Sequence, residues 1–185
     1  TESAKAEKNE FTNRYIWTKG TFEVGPGIRG FSQRDGCYIP NFFWSQPSLN
    51  YGYANPTENW QLPVDHPDCI ATKEELKKIM YFWMDMGVDG FREDVITYIS
   101  KQDGLPNDYL FPIYKGMPKY NHGPRIHQYL TEFKKDVLDH YDCFTVAEAP
   151  LVWPKQALKY IDEENGQIDM MIQFQCQCAD CLFTD

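Results

Sequence analysis

From residue 72 to residue 174 the sequence alternates helical and extended patterns three times, and this alternation narrows the fold more than any other feature. Thr72 and Glu75 have the spacing of a capping box, apolar residues recur at Leu76, Ile79, Met80, Trp83 and Met86, and Gly87 supplies a stop. That pattern predicts an amphipathic helix. A short apolar strand over about 88 to 96 follows, then a loop over about 97 to 123 punctuated by DGLPND, KGMPK and NHGP. After Pro124 a second helix is expected, with apolar positions at Ile126, Leu130, Phe133 and Val137. CFTVAEA reads as a strand, Pro154 opens a third helix through Leu158 and Ile161, and IDMMIQF reads as the next strand. Strands separated by crossover helices run parallel, so the expected fold class is α/β, as a barrel or an open sheet.

Residues 1–68 contrast with this regularity. They are rich in Gly, Pro, Asn and aromatic residues, in stretches such as VGPGIRG, CYIPNFFW and NYGYANPTENW, without a sustained helical or strand period. A compact domain carries so long an irregular stretch when it serves a function, so a lid or subdomain is expected here. The predicted organisation is therefore a loop-rich subdomain over 1–68 and an alternating domain over 69–185.

Composition bounds the partners. With 185 residues, 42% hydrophobic and 16% aromatic, the chain can form a cored globular unit. A net charge of −9 and a pI near 4.9 argue against nucleic acid or an anionic membrane surface as partner. No run approaches the roughly 18 apolar residues of a spanning helix, and TESAKAEKNE has no signal-peptide apolar core. The sequence begins without methionine, so a targeting segment could precede it. Of the six cysteines, Cys176, Cys178 and Cys181 cluster in CQCADC, a weak metal signal without a second ligand cluster. Reduced thiols in a cytoplasmic protein, partly packed as small apolar groups, are the expectation. His66, His122, His127 and His140 lack ligand spacing, and His127 is expected on a helix surface.

The chemistry concentrates in GVDGFREDVI and FTVAE. Residues two apart on a strand share a face, so Arg92 and Asp94 point the same way, with Gly90 leaving backbone room below them. A guanidinium so placed keeps the aspartate ionised. Glu148 closes the next strand, and parallel α/β folds gather their active sites at the carboxyl ends of strands. Two carboxylates on one rim, roughly 5 to 5.5 Å apart, would fit a retaining glycosidase, one attacking and one donating a proton. The plainer alternative is an ion pair that fixes strand register, with Glu148 capping a loop. The aromatic and Asn-rich stretch offers either stacking faces for sugar rings or ordinary loop packing.

These residues resemble a known family. GVDGFREDVITYISK is similar to the second conserved region of glycoside hydrolase family 13, the α-amylase superfamily, whose G-x-R-x-D core holds the nucleophile. FTVAEAP resembles the third region, with its acid/base glutamate. NRYIWTKG, SQPSLNYGYANP, ISKQDGLP and NHGPRIHQYLTEF resemble segments of the oligo-1,6-glucosidase and α-glucosidase branch in the same order. The resemblance implies a (β/α)8 barrel, here approximately its third helix to sixth strand, with the early residues forming a subdomain inserted after the third strand. It implies Asp94 as nucleophile, Arg92 as its partner and Glu148 as acid then base. Val95, directly after the nucleophile, goes in this branch with α-1,6 substrates, where threonine goes with α-1,4. The implied partner is a short α-linked oligosaccharide, with no organic cofactor and no metal in this segment. Trehalose-6-phosphate hydrolases, sugar-isomerising relatives, a catalytically silent interaction barrel and a pure sugar-binding module are the alternatives.

Two departures stand out. Glu93 occupies a position where the family usually has an apolar residue, and a solvated location among the helices would make it harmless. The family's first and fourth conserved regions have no counterpart in the sequence, so an internal fragment is expected, inactive on its own.

Overall fold

The computed structural model describes residues 1–20, 27–41, 43–102 and 121–174. Cys176, Cys178 and Cys181, and the DGLPND and KGMPK turns, lie outside them. The chain divides into two compact units, Thr1–Glu75 with Ile99–Pro124, and Leu76–Tyr98 with Arg125–Asp185.

The first unit has little regular structure. Strands β1 (Trp17–Thr18) and β2 (Cys37–Tyr38) pair antiparallel, Trp17 opposite Tyr38 and Thr18 opposite Cys37. Isolated bridges tie Tyr15 to Leu49, Pro40 to Pro47 and Tyr53 to Pro63. Ile16, Ile39 and Tyr53 are buried at its centre. Where no ladder satisfies the backbone, side chains do so. Ser3 Oγ donates to the Thr12 carbonyl at 3.0 Å and accepts from Trp17 Nε1 at 3.0 Å. Arg34 lies 4.5 Å from the Trp17 ring and donates to the same Thr12 carbonyl.

Helix α1 (Pro67–Asp85) starts in this unit and ends in the second. It begins upstream of the predicted capping box. Pro67 takes the first helical position, where its missing N–H costs nothing, and Asp68 lies in the first turn. The His66 Nδ1 accepts the Asp68 amide at 3.1 Å. Thr72, expected as the cap, is inside the helix and donates to the Asp68 carbonyl at 2.8 Å.

The second unit holds β3 (Gly90–Glu93), α2 (Ile126–Asp136), β4 (Phe144–Ala149), α3 (Pro154–Ile161) and β5 (Met170–Gln173). The strands form one parallel sheet in the order β3-β4-β5. The apolar stripe is only partly covered: Leu76 and Met80 are half-buried, whereas Ile79 and Trp83 on α1 and Met86 just past it are 53%, 45% and 65% exposed. A periodic stripe reports a helix but not what covers it. The side of α1 that meets α2 is bridged by charge, Lys77 donating to Glu132 at 2.8 Å and Asp136 at 2.6 Å. On α2 the pattern did locate the core, with Ile126, Leu130 and Phe133 buried. His127 is half-buried rather than on an open surface, its ring 4.5 Å from that of Tyr160 and its Nδ1 2.9 Å from Gln167 Oε1. At α3 Pro154 stands at the start, and Gln156 reaches back to accept the Trp153 amide at 3.0 Å.

Register sorts the sheet's side chains. Phe91 pairs with Thr145 and Glu93 with Ala147, while Arg92 pairs with Val146 on the opposite face. Thr145, Ala147 and Ala149 are buried, and Ala149 packs with Val152 and Ala157, the latter from α3. No helix among the described residues is long and apolar enough to cross a membrane.

Candidate active site

Strand β3 is shorter than predicted, ending at Glu93. Asp94 and Val95 form a turn into a short 3-10 segment, Ile96–Tyr98, and the Tyr98 amide donates to the Val95 carbonyl at 2.9 Å. The strand starts at Gly90, whose φ is +151° and where a Cβ would stand 1.8 Å from the Phe144 carbonyl oxygen. Only glycine lets β3 approach β4 this closely. Val95 has φ +44°, a left-handed conformation that β-branched residues avoid. No signal in the sequence marks that strain.

The turn leaves Asp94 beside Glu148. Glu93 pairs with Ala147, so the next residues along each chain, Asp94 and Glu148, follow at the carboxyl ends of neighbouring strands. One guanidinium joins them: Arg92 Nη1 donates to Asp94 Oδ1, and Arg92 Nη2 pairs with Glu148 Oε1. Asp94 holds the Arg92 pKa above its ordinary value, chiefly through this hydrogen bond, and Glu148 adds to the effect. The Arg92 and Asp94 side chains are 49% and 67% exposed, and Glu148 is 16% exposed. An ion pair so open to solvent adds little to stability, so fixing strand register is a weak explanation for it. Two carboxylates bridged by a cation on an accessible strand rim can serve as nucleophile and proton donor.

Glu93 is half-buried. Its Oε2 is sealed from water and has no hydrogen-bond partner among the described residues. Sequence reading flagged the residue as a departure and left its surroundings open. Among the described residues no three or more His, Cys, Asp or Glu side chains gather as a metal site requires.

Comparison with known proteins identifies the surroundings of this rim. A family model described as alpha amylase, catalytic domain, matches residues 2–182. An oligo-1,6-glucosidase of Bacillus cereus is 33% identical over 190 residues, covering 94% of this chain and 30% of its own length. A trehalose-6-phosphate hydrolase of Bacillus licheniformis superposes with a TM-score of 0.77 at 26% identity, over 97% of this chain and 31% of that one. A trehalulose synthase structure gives 0.75 at 28% identity over the same shares. The chain thus spans about 30% of the length of the curated relatives it matches. Its α/β sheet and helices are part of a TIM barrel.

Proposed function

Because the chain belongs to glycoside hydrolase family 13, the α-amylase catalytic-domain family, we propose that it carries the nucleophile and the acid/base of a retaining α-glucosidase. The observation behind this reading is the Arg92 bridge between Asp94 and Glu148 at the carboxyl ends of β3 and β4. In the first step the Asp94 carboxylate attacks the anomeric carbon, the glycosidic C–O bond breaks, and Glu148 gives its proton to the departing oxygen. In the second, Glu148 takes a proton from water, whose oxygen displaces Asp94 from the β-glucosyl ester and restores the α configuration. Arg92 touches both carboxylates and fixes their orientation for each step.

The substrate in this reading is the non-reducing glucose of short α-linked oligosaccharides, with α-1,6 linkages favoured by Val95. Residues 1–68 are the inserted subdomain and 69–185 the central part of the barrel. Cys37, Cys69 and Cys143, outside any disulfide, suit a reducing cytoplasm. Trehalose-6-phosphate hydrolysis or sugar isomerisation is the second reading, favoured by the structural neighbours. It uses the same two carboxylates with a different leaving group or acceptor.

The test is sugar release from isomaltose, maltose and trehalose 6-phosphate by the 185-residue chain and by the longest product of its gene. Asp94→Asn should lower the rate of any active form by at least about a thousandfold. A covalent glucosyl adduct on Asp94, seen by mass spectrometry, should disappear in that variant. Activity that survives Asp94→Asn would remove it from the nucleophile's role. Silence from both forms would favour a non-catalytic interaction barrel.

A further inference from the structure

We propose that Glu93 is a positioning residue held by its proton: as a neutral carboxyl it fits the covered face of the sheet, and its ionisation displaces the end of β3 that carries Arg92 and Asp94. The consequence for catalysis rests on the nucleophile reading given above, whereas the titration itself does not.

The geometry leaves an ionised Glu93 without support. Its neighbour across the register is Ala147, fully buried and without a polar side chain. On the same face Thr145 offers no spare donor: its amide and its hydroxyl each donate to Asp169 Oδ2 at 2.8 Å. The Thr145 hydroxyl also accepts the Asp169 amide at 3.1 Å. Between Gly90–Glu93 and Phe144–Ala147 the facing backbone groups pair in the parallel ladder. A carboxylate whose Oε2 is sealed without a partner lacks the donors that offset desolvation, so the group keeps its proton.

The titratable groups around it reinforce this. Asp169, at the entrance to β5, is the charged group that acts on Glu93 from across the sheet, and its sign is the same. Tyr98, from the 3-10 segment that packs on β4, is pushed up to about 12 by burial and stays neutral. Cys143, just ahead of β4, is raised by burial and by Asp169 and stays a thiol near neutral pH. Burial first, and Asp169 second, lift Glu93 from the ordinary 4.5 to about 7.

The sign follows from linkage. Below pH 4.5 the carboxyl is protonated in both folded and unfolded chains; between 4.5 and about 7 only the folded chain keeps the proton. The stabilisation is complete below that window and is lost as pH rises through 7.

The experiment uses the 185-residue chain. Carbon-13 NMR should show the Glu93 carboxyl titrating near pH 7, with the Arg92 Nε–H signal moving at the same midpoint. In Glu93→Gln the Arg92 signal should not move in that range. The ratio of the two chains' unfolding constants should change roughly 300-fold in Glu93→Gln's favour as pH rises across the window. A Glu93 midpoint in the ordinary glutamate range would overturn the proposal, as would an Arg92 signal blind to that titration or a stability gap that is constant with pH. Should Glu93→Gln fail to fold, the titration in the unsubstituted chain decides alone. Loss of the nucleophile assignment would show in the sugar-release assay and leave these signals unchanged.

Discussion

The two compact units each bury one titratable group that shifts to near neutrality, and they handle it in opposite ways. In the irregular first unit the group is Lys101, fully buried and lowered by that burial to about 7, with Nζ donating to Asn41 Oδ1 at 2.9 Å. In the regular second unit it is Glu93, raised to about 7. The difference lies in the backbone. An irregular chain can bring a side-chain acceptor such as Asn41 to a buried ammonium. In a paired ladder the backbone donors are already consumed, so a carboxyl on the covered face changes protonation state instead of finding partners. The two groups also tilt stability in opposite directions. The fold loses Glu93's contribution as pH rises through 4.5 to 7. From 7 to 10.5 the unfolded chain holds the lysine proton that the folded chain has released, so Lys101 makes stability rise with pH. Together they place a minimum near neutrality.

The largest effect would come from breaking the ladder on which the second unit depends. Gly90→Ala places a methyl group 1.8 Å from the Phe144 carbonyl oxygen, at a backbone angle that alanine resists. Strands β3 and β4 must part, and the expected loss is about 3 kcal/mol in denaturant unfolding. A change below about 0.5 kcal/mol would mean that the close approach of these strands is not required.

Sharpening the contrast between the units needs Lys101→Gln, which keeps a polar group and removes the titration. Between pH 7 and 8.5 each pH unit is worth about 1.4 kcal/mol for a group that is neutral when folded and charged when unfolded. The unsubstituted chain should therefore gain about 2 kcal/mol on the variant over that range. A parallel pair of stability curves would show that Lys101 stays charged in the fold, and the opposition between the two units would then fail.

How much of this was legible in the sequence differs between the same two regions. The order of strands and helices in the second unit could be read because ladders and helices impose periods of two and 3.6, and because Pro154 and the apolar spacing on α2 act locally. The meeting of Arg92 with Asp94 and Glu148 was legible from strand order and strand ends, although Asp94 lies in the turn past β3 and not on its face. The covered face of α1 was not, because Ile79, Trp83 and Met86 carry the right spacing whichever side is packed. Nor was the fate of Glu93, which depends on Thr145 having spent its donors on Asp169, 24 residues further along the chain. The first unit's bridges join Tyr15 to Leu49 and Tyr53 to Pro63 without any period to announce them.

The smallest expected effect lies at Val95, where regular strand gives way to turn. Its φ of +44° costs a β-branched residue of order 1 kcal/mol or more, because Cβ and both γ-methyl groups crowd the backbone. Asparagine tolerates the left-handed region and would leave the Tyr98 amide bond to the residue-95 carbonyl in place. Val95→Asn should thus stabilise the chain by about 1 kcal/mol in thermal or denaturant unfolding. Val95→Thr is the control: it is β-branched, keeps the strain, and should leave stability within about 0.5 kcal/mol. Stabilisation by both variants would trace the gain to polarity at an exposed turn. Stabilisation by neither would mean that the turn relaxes in solution, and that Asp94 is held in place by Arg92 alone rather than by a strained backbone on one side and a cation on the other.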